Sequence, residues 1–302
     1  MPGAAVKIAV LTHGGAGSPT SNADGCQAAA EKGIAALEQG GDALAAALAA
    51  TVALEDDPRF NAGTGSNLRL DGELVEMDAA VMASDGRFGA VTCIERVQNP
   101  VLVAARVLHT PHLLLAGAGA TAFARKMGFP DHDPVTDGAR DKHRRALAEL
   151  AGHGDGRYGA LAAAWRKLDM AALWNLEGPM PPGDTVGAVV RDGHGRFAAT
   201  ASTGGTIYML RGRVGDSPLM GCGVYAGPHG AVATTGVGEE IVRRQLARAV
   251  YGWLAEGIPA ARAAQRAIAL FPEVVDVGLL VIAKEGQAVG ANRDMASALI
   301  VA

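Results

Sequence analysis

A chain of 302 residues, 49% hydrophobic and 19% charged, is long enough to bury a large core as one big domain or two. Its formal charge of −4, with Lys and Arg dominating no long stretch, argues against a nucleic-acid partner; the run Arg140 to Arg145 reads as a solvated helix face. Mean hydropathy is high at +0.16, yet the longest nearly uncharged run, Ser217 to Gly238, is packed with Gly, Thr and Pro and lacks the aliphatic density of a membrane span.

From the N-terminus, the apolar run Ala4 to Leu11 is short and interrupted by Lys7, so it reads as a first strand entering a glycine turn rather than a signal peptide. A helix follows with Asp24 as its N-cap and Gly40-Gly41 as its stop, then a second, Ala-rich helix capped by Asp42. The next stretch predicts a loop and a hairpin with Asp71-Gly72 at the turn. "NPVLVAARVL" reads as a short helix and "HLLLAG" as another strand or buried segment. Between Asp131 and Gly183 the texture changes to a connector that contains a helix and ends in "GPMPPGD", which no helix can continue. After it come a hairpin in "TVGAVVRDGHGRFAATAST", one helix in "GEEIVRRQLARAVYGWLAEG", another in "AARAAQRAIALF", a hairpin turning at Glu285-Gly286 and a terminal strand in "SALIVA". Strands in hairpins and helices in pairs favour α+β layering, two sheets covered by helices, over a parallel βαβ sheet.

Several motifs bear on chemistry. "GAGATA", Gly117 to Ala122, matches the loose dinucleotide fingerprint, but its strand is short and no clean second βα unit follows. The eight His fall in no zinc spacing, so a transition-metal site is not expected. Cys26, Cys93 and Cys222 are scattered and odd in number, which suits a reducing cytoplasm. Cys222, among glycines, is a candidate nucleophile without an evident His partner. Thr185 stands where the Pro/Gly segment meets a β-branched strand. Within about fifty residues of it lie three hydroxyl-glycine turns, around Ser202-Thr203, Thr206 and Thr234-Thr235, and a cation and an anion three residues apart, Arg213 and Asp216. A hydroxyl beside a backbone N–H is the raw material of an oxyanion hole. A guanidinium grips a carboxylate and a carboxylate holds an ammonium, so the last pair suits an amino-acid head group.

Taken together, "HGGAG" (His13 to Gly17), "FNAGTGS" (Phe60 to Ser66), "DAAVM" (Asp78 to Met82), "GDTVGAVVRD", "STGG", "GRVGDSP" and "TTGVGEE" run in one order along nearly the whole chain. In this the chain resembles the plant-type L-asparaginase/isoaspartyl peptidase family of N-terminal-nucleophile hydrolases. The resemblance implies a four-layer αββα sandwich and self-cleavage between Asp184 and Thr185. Residues 1–184, with the connector over 131–184, then form an α subunit and residues 185–302 a β subunit. Together these make one structural domain that pairs into (αβ)2. It also implies hydrolysis of β-aspartyl dipeptides and of L-asparagine, with Thr185 as nucleophile carrying its own base in its α-amine. Thr203 contacts the nucleophile, and the Thr235 hydroxyl and Gly236 N–H form the oxyanion hole. Arg213 takes the substrate α-carboxylate and Asp216 its α-amine, with Gly236 and Gly238 also lining the substrate. Asn61, Gly14 and Gly15 orient the nucleophile. No cofactor is required, and a loop over Glu55 to Gly63 is expected to hold a sodium ion through backbone carbonyls. Glycosylasparaginase shares the Asp-Thr junction and the "GRVGDSP" clamp but lacks an HGGAG-type start; the threonine endopeptidase taspase matches less well at "GDSP". Ile207, Tyr208 and Met209 stand out as bulky and apolar beside this site.

Overall fold

The computed structural model describes residues 6–153, 156, 159–167 and 185–302. Asp184, the "PMPPG" segment and the rest of the connector's end lie outside the described residues.

In chain order the elements are β1 (Ala9–His13), α1 (Ala23–Glu38), α2 (Ala43–Asp56), β2 (Met77–Ala83), β3 (Phe88–Ile94), α3 (Pro100–Val107), β4 (Leu114–Ala116), α4 (Gly117–Lys126), α5 (Asp137–Leu150) and α6 (Gly159–Arg166). After the connector come β5 (Val186–Arg191), β6 (Phe197–Thr203), β7 (Val224–Gly227), β8 (Gly230–Gly236), α7 (Gly238–Arg244), α8 (Leu246–Ala255), α9 (Ala260–Ile268), β9 (Val277–Ala283), β10 (Gln287–Ala291) and β11 (Ser297–Val301). The class is mixed α+β. One sheet runs β11-β1-β5-β6-β2-β3-β4 and the other β10-β9-β8-β7. Their ladders are antiparallel except for the short β3–β4 pair.

The central strands read as unbroken apolar runs because both of their faces are covered. On β1, Val10 joins a cluster with α1 to α4, while Ala9 and Leu11 face a cluster shared with the other sheet. On β8, Val232 packs with α8 and α9, while Ala231 and Ala233 meet the first sheet. The cluster joining the sheets is rich in alanine. Short side chains let the sheets approach closely, which matters at the end where the site forms. Among the described residues no helix is long and apolar enough to cross a membrane.

Several local expectations change. Asp42 does cap α2, accepting from the Ala45 N–H at 2.9 Å. Asp24 does not cap α1: it lies inside the first turn, where its carboxylate takes Arg59 Nη1 at 2.8 and 3.0 Å. The Asp71-Gly72 turn exists, with Gly72 N–H bonded to the Arg69 carbonyl at 2.8 Å, but no strands flank it. The hairpin there is β2–β3, turning at Asp85-Gly86. The predicted single helix after Gly238 is two. Gln245 adopts φ +45°, and the N–H groups of Ala247 and Arg248 bond the Cys222 and Gly221 carbonyls instead of continuing α7. Docking the start of α8 on that turn satisfies two N-terminal donors and outweighs helix continuity. "GAGATA" forms the start of α4 after a three-residue strand at the sheet's edge, and among the described residues no further strand lies beyond that edge to build a dinucleotide cleft.

A close approach on β5 invites a stability test. A Cβ at Gly187 would stand 2.7 Å from His13 Nε2 and 2.9 Å from the Thr200 carbonyl. We expect Gly187→Ala to lose about 1–3 kcal/mol in denaturant unfolding through overpacking, and His13→Ala in the same chain to restore part of that loss. Strictly additive losses would show that the two residues do not press on each other.

Candidate active site

The site follows from the period of two along strands. Counting inward-facing residues, β5 gives Val189 and Gly187, and one step further Thr185. On β6 the series is Phe197, Ala199, Ala201, Thr203; on β2 it is Met82, Ala80, Asp78; on β8, in the opposite sheet, it is Ala231, Ala233, Thr235. Val186 pairs with Ser202, so Thr185 lies opposite Thr203, and Asp78 pairs with Thr203 from the other side. All four polar residues are buried.

Across the gap the Thr185 N–H donates to Thr235 Oγ1 at 3.3 Å, and the Ala16 N–H donates to the same oxygen at 3.1 Å. Two such bonds occupy both lone pairs of the hydroxyl and direct its proton to a further acceptor. Thr185 Oγ1 lies 3.2 Å from Ser217 Oγ. Thr203 Oγ1 accepts from the Gly205 N–H at 2.9 Å. Asn61 orders the turn after Thr203: its Nδ2 donates to the Gly205 carbonyl at 2.6 Å and its Oδ1 accepts from the Asn67 N–H at 2.9 Å. The "HGGAG" turn presents Ala16. Gly14 admits no side chain, since a Cβ would sit 2.3 Å from the Phe60 ring, and Gly15 has φ +111°. Gly236, at φ +137° beside the Asp276 carbonyl, is restricted in the same way.

Arg213 and Asp216 both reach this end of the molecule, but they do not pair. Arg213 Nε and Nη2 each donate to Glu239 at 2.8 Å. Asp216 is buried and accepts from Thr234 Oγ1 at 3.1 Å. Burial, against the opposing pull of its own backbone amide and of Arg213, pushes its carboxyl up to about 7. Gly238 lies between the two, its Cβ position 3.0 Å from Arg213 Nη2 and 3.0 Å from Asp216 Oδ1. Thr185, Thr203, Thr235, Gly236, Arg213, Asp216 and Gly238 therefore converge on one region, with Gly14, Gly15 and Asn61 shaping the loops around it.

Other residues support this region from below. His13 is fully buried, and burial pushes its imidazole down to about 3, so it stays neutral. Asp78 takes Thr92 Oγ1 at 2.6 Å and the Cys93 N–H at 2.9 Å, and burial raises its pKa. On the far side of β6, Ser202 donates to Glu55 Oε1 at 2.6 Å; burial pushes Glu55 up to about 8. Ile207, Tyr208 and Met209 do not form an open wall of the site. They are buried, Ile207 and Tyr208 pack with Trp165 and Ala146, and the Tyr208 hydroxyl donates to the Ala146 carbonyl at 2.9 Å. Ser217 and Glu239, within "GRVGDSP" and "TTGVGEE", carry no signal of their own in the sequence. Each is recognised by a partner that is distant along the chain. Among the described residues no three His, Cys, Asp or Glu side chains converge as a metal-binding set.

The chain as a whole is similar to known proteins. The profile described as "Asparaginase" matches residues 6–300. The plant-type L-asparaginase of Pyrococcus furiosus is 40% identical over 271 residues, covering 87% of this chain and 85% of that protein. The isoaspartyl peptidase/L-asparaginase of Homo sapiens is 38% identical over 288 residues, covering 92% of this chain and 87% of that protein. The isoaspartyl peptidase/L-asparaginase of Danio rerio is 39% identical over 280 residues, 88% of this chain and 82% of that protein.

Cys222 does not have the character of a nucleophile. It is buried, and burial pushes its thiol up to about 11; burial likewise pushes Cys93 up to about 11 and Cys26 up to about 12. At pH 8 almost no thiolate is present. We therefore expect a disulfide dye such as DTNB to leave all three thiols intact in the native protein and to titrate all three after denaturation. Rapid native labelling of Cys222 would reopen it as a reactive group.

Proposed function

Because the chain belongs to the asparaginase family, with the plant-type L-asparaginases and isoaspartyl peptidases, and is a hydrolase of that type, we propose that it is a self-processing threonine hydrolase. It cleaves β-aspartyl dipeptides and converts L-asparagine to L-aspartate and ammonia. The observation that carries the reading is Thr185 itself: buried, opposite Thr203, with its main-chain nitrogen on the Thr235 hydroxyl across the sheets.

Maturation begins when Thr185 Oγ1 attacks the Asp184 carbonyl. The acyl group shifts from nitrogen to oxygen, and water hydrolyses the ester. The freed α-amine titrates near pH 8 and serves as the base for its own hydroxyl, so no His or Asp partner is needed. In turnover the amine takes the Oγ1 proton as the oxygen attacks the substrate β-carbonyl. The Thr235 hydroxyl and the Gly236 N–H stabilise the oxyanion. The amine returns the proton to the leaving nitrogen, and water then releases aspartate from the acyl-enzyme. Thr203 and the Ser217 hydroxyl hold Oγ1 in line. Arg213 binds the α-carboxylate and Asp216 the α-ammonium of the aspartyl unit.

The same reading gives the layering αββα, from helices packed on the outer face of each sheet, and an (αβ)2 assembly in a reducing, cytoplasmic setting that suits three free thiols. We further propose that the loop after α2 holds a structural sodium ion through backbone carbonyls. The carbonyls of Glu55 and Gln98 crowd the Cβ position of Gly63, and those of Pro58 and Phe60 crowd that of Gly65. Such neutral oxygen donors suit a hard cation whose contribution is to fix the loop that carries Asn61.

N-terminal sequencing of the active protein tests the core of this proposal. We expect two associated fragments, residues 1–184 and 185–302, the second beginning Thr-Val-Gly-Ala. Thr185→Ala should remain one inert chain, and Thr185→Ser should cleave and keep some activity. An active, uncut chain would refute the mechanism. The pH profile tests the clamp. In the free enzyme both Asp216 and the Thr185 amine must be deprotonated, so log kcat/KM should fall with a limiting slope of two below about pH 7. Bound substrate ammonium keeps Asp216 ionised, so log kcat should fall with a slope of one. A slope of one in both plots would remove Asp216 from substrate binding.

A further inference from the structure

A site that holds a free amino acid must keep a cation and an anion a few ångströms apart, desolvated and unpaired. That arrangement is unstable by default, because two opposite charges in one buried turn attract each other more strongly than they would in water. Arg213 and Asp216 are three residues apart and both largely buried, yet Arg213 pairs elsewhere. We propose that Glu239 is a positioning residue that holds Arg213 away from Asp216 and turns the free edge of the guanidinium toward the substrate α-carboxylate. This rests on the reading of Arg213 and Asp216 as the substrate clamp.

The geometry carries the argument. A guanidinium has two edges that take a carboxylate in bidentate fashion, Nε with Nη2 and Nη1 with Nη2. Glu239 occupies the first, with both contacts at 2.8 Å. The Nη1 side, over Gly215, is left for a ligand. Glu239 is in the first turn of α7, where negative charge is favoured. The residue before it, Gly238, sits between Arg213 Nη2 and Asp216 Oδ1, 3.0 Å from each at its Cβ position. The start of α7 is thus a wedge, with Gly238 as its thin edge and Glu239 as its handle. Asp216 in turn is engaged by Thr234 Oγ1 on β8, not by the guanidinium. The run Thr234 to Glu239 therefore anchors both members of the clamp, and it also supplies Thr235 and Gly236.

The opposite role is equally concrete. Glu239 could instead be an occupant, standing where the substrate carboxylate must go and being displaced by it. The two roles predict opposite signs. Competitive inhibition by three acids separates them: L-aspartate carries both head-group charges, succinate lacks the amine, and β-alanine lacks the α-carboxylate. For Glu239→Gln in matured enzyme, with the N-terminal Thr185 verified, we expect Ki for L-aspartate and succinate to rise roughly tenfold or more and Ki for β-alanine to stay within about twofold. KM for a β-aspartyl dipeptide should rise more than kcat falls. Glu239→Asp, which keeps the charge on a shorter arm, should lie between Gln and the parent. It carries the same comparison if Glu239→Gln does not mature. Tighter L-aspartate binding in Glu239→Gln would make Glu239 an occupant, and equal weakening of all three acids would make its role merely structural; either result, or no change at all, overturns the proposal. Arg213→Ala in the same assay separates this from the clamp reading: if it leaves L-aspartate binding intact, the clamp assignment has failed, not the part given to Glu239.

Discussion

The bond from the Thr185 nitrogen to the Thr235 hydroxyl crosses from one sheet to the other. Face-to-face sheets ordinarily stand about 10 Å apart, and a threonine side chain is one of the shortest that carries a hydroxyl. The contact therefore requires the sheets to converge at this end. The inward-facing series show how: Phe197, Ala199, Ala201, Thr203 on β6, Met82, Ala80, Asp78 on β2, and Val189, Gly187, Thr185 on β5. Beyond Phe197, Met82 and Val189 each series continues in glycine, alanine or a short polar residue. These small side chains bring backbone and hydroxyl groups from two sheets into one cluster without a long side chain bridging them. Gly187 and the buried, neutral His13 beside it belong to the same close packing.

Burial explains the electrostatics of this end. Asp216, Asp78 and Glu55 are fully buried carboxyls, each raised by loss of solvent and only partly compensated by hydrogen bonds. Asp78 and Glu55 spend their acceptors on backbone and hydroxyl donors that pin strand ends: Cys93 at its left-handed φ of +48°, Ser202 next to Thr203, and Val101 at the start of α3. Asp216 differs in that the cation beside it, Arg213, is held by Glu239. The two opposite charges are thus kept apart by the fold itself.

Strands β1, β5, β6 and β9 were legible in the sequence as apolar runs with Gly beside Asp or Glu at the hairpin turns, whereas β3, β7 and β8 were not read as strands. Less legible was anything decided by a distant partner. Gln245 breaks a strongly helical pattern because carbonyls of Gly221 and Cys222 satisfy the next helix's first donors. Asp24 is drawn from a capping role by Arg59, 35 residues away. Thr203 and Thr235, read as members of hydroxyl-glycine turns, are the last inward positions of two strands. The nearness of Arg213 and Asp216 followed from their spacing, but spacing carries no information about Glu239, 26 residues further on, which takes the guanidinium. The residue types at the site were visible; their pairing was a property of the folded chain.

The loop from Gly204 to Gly212 ties the site to the segment that precedes Thr185. It starts after Thr203 and ends before Arg213. Its buried middle is Ile207, Tyr208 and Met209, and Tyr208 stacks near Trp165 of α6 with ring centroids 5.8 Å apart while its hydroxyl reaches α5. From the other side the Glu76 carboxylate, paired with buried Arg69 at 2.6 Å, accepts the Gly212 N–H at 2.8 Å, and the Leu70 N–H bonds the Met209 carbonyl at 2.9 Å. A buried ion pair of this kind is stabilising only while every remaining donor and acceptor is satisfied, so the loop has little freedom to shift independently of α5 and α6. Ile207, Tyr208 and Met209, which stood out in the sequence as bulky and apolar beside the site, act through this coupling. By anchoring the connector's helices to the loop that ends at Arg213, they make the position of Arg213 depend on the chain upstream of Thr185 as well as on the strands around it.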